Sequence, residues 1–204
     1  MKKIKYTLKE VGPKIYAVII KDRYDLCMTF LRVQEYYESP FKQFRNKSFC
    51  IWDYIKYYSS KKDTCFTYPA DWSGFNVPYN TALKGATSSH IQTPYDELML
   101  KILIKLKGKC EYIIGASDTK GDTFKHEVCH EIYYINEKYR KEMDKLTDSL
   151  PKKDYATLKK NLLRQGYCSK VIKDEIQAYM CFGYSEGDFS NGLYYDDMKK
   201  YHEQ

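Results

Sequence analysis

The chain has 204 residues, long enough to bury a sizeable core, and its 43% apolar and 30% charged residues exclude a disordered or fibrous chain. Lysines and arginines number 34 against 27 acidic residues, a net charge of +7. Such an excess is compatible with nucleic acid or another anionic surface, but the basic residues are scattered, as on an ordinary solvated surface.

Residues 1–23 read as a strand pair, Ile4 to Leu8 and Ile15 to Ile20, around a turn at Val11-Gly12-Pro13. Leu26 to Tyr37 has helical spacing and stops at Ser39-Pro40; Ser48 to Tyr58 reads as a second helix with Ile51, Tyr54 and Ile55 inward. Residues 61–92 hold Gly, Pro, Asn, Ser and Thr among aromatics and read as a long loop. Such a loop either covers a cleft, offering Trp72, Phe75 and Tyr79 to a ligand, or is anchored to the body by those rings. Thr93-Pro94-Tyr95-Asp96 carries the cap, proline and acid of a helix start, and that helix runs to about Leu106 before Gly108. Cys110 to Ala116 reads as a strand, followed by a helix from Asp122 to about Leu146. Further helices are expected over Asp154 to Gln165, stopped by Gly166, and Lys170 to Phe182; the tail from Gly183 reads as loop with a short terminal helix.

The seven cysteines are odd in number and form no Cys-x-x-Cys pair, which favours reduced, structural thiols over a disulfide framework. No signal-like or membrane-length apolar run is present. A cytoplasmic or otherwise intracellular protein without a membrane partner is expected.

The helix from Asp122 contains His126-Glu127-Val128-Cys129-His130. With Phe124 at zero, Val128, Ile132, Ile135 and Tyr139 fall in a sector about 80° wide, a core-facing stripe. His126 and His130 lie one turn apart on another face, with Glu127 on their flank. Two imidazoles at this spacing beside a carboxylate are what a hydrolytic zinc site needs: two nitrogen ligands, and a base within reach of a metal-bound water. Cys129 projects to the side and reads as packing.

A catalytic zinc site wants a third protein ligand. Glu131 and Glu137 converge poorly with the histidines along one rod, and His202 lies in the tail. Glu175 is different, because Val171, Ile172, Ala178, Tyr179 and Phe182 all project within about 60° of it. A carboxylate in an apolar stripe needs a metal or a basic partner to offset its desolvation. Asp174 falls on the polar side and reads as a surface acid or a first-turn helix charge.

His126-Glu127-x-x-His130 followed by a helix bearing Glu175-Ile176-Gln177-Ala178 resembles the gluzincin branch of the zincin metallopeptidases, over roughly residues 110–182. The metzincin pattern fails, since Tyr133, Tyr134 and Ile135 follow the second histidine; the aspartate that often follows the third ligand of larger gluzincins is replaced by Tyr179. The resemblance implies an α+β zincin-like fold, with a small mixed sheet, an active-site helix and a mainly helical C-terminal lobe. It divides one domain into an N-terminal lobe, 1–109, and a zincin core, 110–204. It implies Zn²⁺ held by His126, His130 and Glu175, Glu127 as general base, and a peptide or protein substrate. An oxyanion donor is expected from Tyr179, Tyr184 or Tyr133, with Tyr194 and Tyr195 also open. Tyr112, Ile113 and Ile114 correspond to the zincin edge strand that pairs with an extended substrate, and with Trp72 and Phe75 complete the expected cleft. Two other readings stay open: a non-catalytic zincin fold that binds a protein or nucleic acid, and a zinc hydrolase acting on a non-peptide amide.

Overall fold

The computed structural model describes residues 3–88 and 93–182. The protein is α+β, and the chain divides into two compact units, residues 1–124 and 125–204.

In the first unit, β1 (Thr7–Gly12) and β2 (Ile15–Ile19) form the expected hairpin, turning through Lys14 at φ 62°. The sheet runs β1-β2-β4-β3, where β3 is Phe75–Pro78 and β4 is Tyr112–Ala116. β2 and β4 are parallel, and β3 lies antiparallel to β4. The strand expected at an edge is therefore interior, hydrogen-bonded on both sides. All five of its residues are buried, so Tyr112, Ile113 and Ile114 offer no free backbone to a peptide. Their run of apolar and small residues is what a strand covered on both faces requires. β4, expected with the C-terminal lobe, belongs to this sheet.

Helix α1 (Arg23–Glu38) opens at Asp22, whose side chain accepts from the Asp25 amide, and it buries Leu26, Phe30, Leu31 and Val33. Helix α2 is Ile51–Lys62. The segment expected as a loop folds instead into α3 (Tyr68–Asp71), β3 and α4 (Tyr79–Thr87). Phe75 is stacked on Phe30 with ring centroids 5.2 Å apart, and the buried Tyr79 donates its hydroxyl to the Leu103 carbonyl. Trp72 is half-buried and joins the same cluster, so these rings anchor the segment. Helix α5 (Pro94–Leu106) begins with the expected capping box between Thr93 and Asp96. Asp96 also forms a buried ion pair with Arg32, Nε to Oδ1 at 2.7 Å.

Helix α6 (Asp122–Ile135) spans the junction of the units. It stops earlier than its periodicity suggests, because Asn136 caps a separate helix α7 (Glu137–Ser149), accepting from the Tyr139 amide. Arg140 closes the end of α6 by donating to the carbonyls of Tyr133 and Tyr134. Helix α8 (Lys152–Gln165) ends at Gly166, φ 105°, and α9 is Ile172–Phe182. Two apolar clusters hold the second unit: Cys129, Tyr139, Met143, Ala178 and Cys181 in one, and Leu150, Leu158, Leu162, Ile172 and Ile176 in the other. Among the described residues no helix is long and apolar enough to cross a membrane.

Candidate metal centre

Helices α6 and α9 build the site, and α6 turns an unexpected face inward. Its fully buried residues are Glu127, Cys129, His130 and Glu131, whereas Val128 and Ile132 are half-buried and Ile135 is 47% exposed. The apolar stripe is thus not the core face. The polar face is buried because α9 meets it with polar partners of its own. Cys129 packs in the core, as expected, and burial pushes its thiol well above the usual range.

His126 and His130 bring their Nε2 atoms within 3.1 Å of each other. Glu175, 3% exposed, places Oε2 at 3.6 Å from each of those nitrogens. That oxygen is buried and makes no hydrogen bond, and among the described residues no lysine or arginine pairs with it. Donors on a tetrahedral ion, about 2.0–2.1 Å from its centre, are spaced about 3.4 Å apart. The observed spacings bracket that value, so these three side chains can hold a metal ion.

Asp174 stands in the first turn of α9, one of its two expected places, but it is not a free surface acid. Its Oδ1 lies 2.8 Å from Nδ1 of His130 and also accepts from Gln177 Nε2 at 2.9 Å. Gln177, fully buried, accepts in turn from the Tyr139 hydroxyl at 2.8 Å. A hydrogen on Nδ1 donated to Asp174 leaves the Nε2 lone pair facing Glu175 and His126, the tautomer a ligand needs. Burial alone would depress the His130 pKa. The carboxylates of Asp174, Glu175 and Glu127 outweigh it and hold the pKa well above the ordinary value.

Glu127 is 6% exposed and within electrostatic reach of His130. The Tyr179 ring lies 4.6 Å from the His126 ring, centroid to centroid, and its hydroxyl is 2.8 Å from that of Tyr167. Burial first, then the Glu175 carboxylate, pushes the Tyr167 phenol far up, so it stays protonated. Tyr133 is committed elsewhere, donating to Asp144 Oδ1 at 2.7 Å. Tyr184, Tyr194, Tyr195 and His202 lie outside the described residues. Phe75, Tyr112, Ile113 and Ile114 are core residues of the first unit. Asp174, Gln177, Tyr139 and Tyr167 escaped sequence reasoning. Its one available hint was an Asp174/Gln177 pair at i,i+3 beside the suspected ligand.

The chain matches no protein-family model, no curated protein and no solved structure.

Proposed function

We propose that the chain is a zinc-dependent metallopeptidase of gluzincin-like design. The observation that carries this reading is the buried Glu175 Oε2, with no hydrogen bond, held 3.6 Å from two imidazole nitrogens one helical turn apart. Two imidazoles and a carboxylate suit zinc, and the buried Glu127 beside them favours hydrolysis over a purely structural ion. A bound zinc would acidify a water molecule and polarise the scissile carbonyl. Glu127 takes the proton from the attacking water and returns it to the departing amine. Asp174 keeps His130 in its ligating tautomer, supported by Gln177 and Tyr139. In the Tyr167–Tyr179 pair one hydroxyl can donate to the other, which leaves the second proton for the oxyanion; Tyr179, nearer His126, is the donor this arrangement favours.

Metal analysis paired with a cleavage assay on a denatured protein substrate tests the proposal. Protein purified without added metal should carry about one zinc per chain. Glu127→Gln should keep the metal and lose cleavage, and Glu175→Ala should lose the metal. Absence of bound metal, or cleavage that survives Glu127→Gln, would overturn it.

A further inference from the structure

The positive charge is unevenly placed along the chain. Residues 1–124 hold 20 lysines and arginines against 13 acids, while residues 125–204 hold 14 of each. The entire excess therefore belongs to the unit that lacks the His126–His130–Glu175 cluster.

An open cavity of about 530 Å³ on the first unit gathers part of it, lined by Lys3, Lys5 and Lys21. The β1–β2 register explains the gathering. Thr7 pairs with Ile19 at the end of the hairpin and both line the cavity, and Lys3, Lys5 and Lys21 lie on the two segments that run on from this pair. The three lysines are exposed, and among the described residues none is tied into an ion pair. Three ammonium groups against the two carboxylates that also line the space leave it a net positive charge that favours an anion.

Two carboxylates also line the cavity, each engaged in a hydrogen bond of the fold, and they offset only part of the lysine charge. Asp22 caps α1 by accepting from the Asp25 amide, and the buried Asp25 accepts from the Tyr95 hydroxyl at 3.0 Å. Tyr6 contributes an aromatic surface, with Lys105 Nζ 5.8 Å from its ring centroid, and Thr7 a hydroxyl. The space falls within the roughly 300–1,000 Å³ typical of small-ligand sites.

We propose that this cavity binds the phosphate of a nucleotide, with the lysines on the phosphate and Tyr6 against the base. The nucleotide can be free or part of a single strand, since ammonium groups and an aromatic face recognise both. The proposal is independent of the metal centre.

Binding of full-length protein to ADP, by calorimetry, and to a fluorescent oligothymidylate, by anisotropy, tests it. The variant Lys5→Glu/Lys21→Glu is compared with Lys159→Glu/Lys160→Glu, which makes the same charge change on exposed residues of the second unit. Saturable binding to either probe is expected, weakened at least tenfold by the first pair and less than twofold by the second. For the strand, three neutralised phosphates give a slope of log affinity against log salt of about −2. Binding of oligothymidylate alone assigns the site to strand phosphates, and binding of ADP as well assigns it to free nucleotides too. No saturable binding to either probe, or equal weakening by the two pairs, overturns the proposal.

Discussion

Replacing Asp174 by asparagine isolates one interaction at the candidate metal centre. The His130 Nδ1–Asp174 Oδ1 contact is 2.8 Å long, with the histidine side chain 3% and the aspartate side chain 21% exposed. Asparagine keeps an oxygen that can accept from His130 and Gln177 but removes the charge. A hydrogen bond to an ionised partner is worth about 1.5–3 kcal/mol and a neutral one about 0.5–1.5. The difference, about 1–1.5 kcal/mol, corresponds to roughly five- to tenfold weaker zinc binding. Asp174→Ala removes the acceptor too and should cost up to about 100-fold. Competition for zinc against a chromophoric chelator measures both. Asp148→Asn, which breaks the Lys173–Asp148 pair at the α7 end, serves as the control and should leave affinity unchanged. If Asp174→Asn and Asp174→Ala both bind zinc like the parent chain, His130 does not ligate through an Asp174-oriented Nε2, and the account of the centre is wrong.

Other expectations concern the fold that carries these sites. Burial raises the Glu35 carboxyl from 4.5 to about 7, against hydrogen bonds from Ser39 and Tyr54. The cost of a raised acid is absent below about pH 4.5, grows between 4.5 and about 7 and levels off above, so Glu35→Gln should change the melting temperature little at pH 5 and raise it at pH 8. The change between the two should be about 2–3 kcal/mol, and a pH-independent difference would refute this. Asp96→Ala removes the aspartate half of the α5 capping box and the partner of buried Arg32, and should cost about 3–5 kcal/mol in denaturant unfolding; a loss under 1 kcal/mol would contradict the pairing. Gly115→Ala would set a Cβ 2.5 Å from the Phe30 ring, which is already stacked on Phe75. A loss of about 1–3 kcal/mol is expected by the same measurement, and wild-type stability would show that the ring can move aside.

Features that depend on local chemistry were readable from the residues. The capping box at Thr93 and Asp96, the stop at Gly166 and the histidine pair each rest on a few adjacent side chains. Glu175 was readable because a carboxylate among apolar neighbours breaks its own pattern. Asp174 and Gln177 were not, since periodicity sorts polar residues outward and has no means of pairing Asp174 with a histidine 44 positions earlier. The same bias misassigned the faces of α6, where the polar side is the buried one. Helix α4 escaped for a different reason. It packs on α1 through Ala82, Gly85 and Ala86, and a Cβ at Gly85 would meet Tyr36 at 3.0 Å, so close approach of two helices leaves little apolar signal.

The carboxylates around His130 give the candidate site a charge that a bound cation would balance. Glu127, Asp174 and Glu175 all act on His130, and two of these carboxylates belong to residues that are buried. Protonating both imidazoles would supply two positive charges against three negative ones. It would also set two N–H groups 3.1 Å apart, both facing Glu175 Oε2. Neutral imidazoles around a divalent ion would supply the same charge at one point, turn the close nitrogen pair, which one proton could otherwise bridge, into two ligands, and give Oε2 a partner. A single proton shared by the nitrogens would satisfy that pair but leave Glu175 Oε2 without a hydrogen bond, which a metal ion would supply with a ligand contact. Glu127 then faces a positive centre instead of a carboxylate cluster, the condition under which it can act as a base.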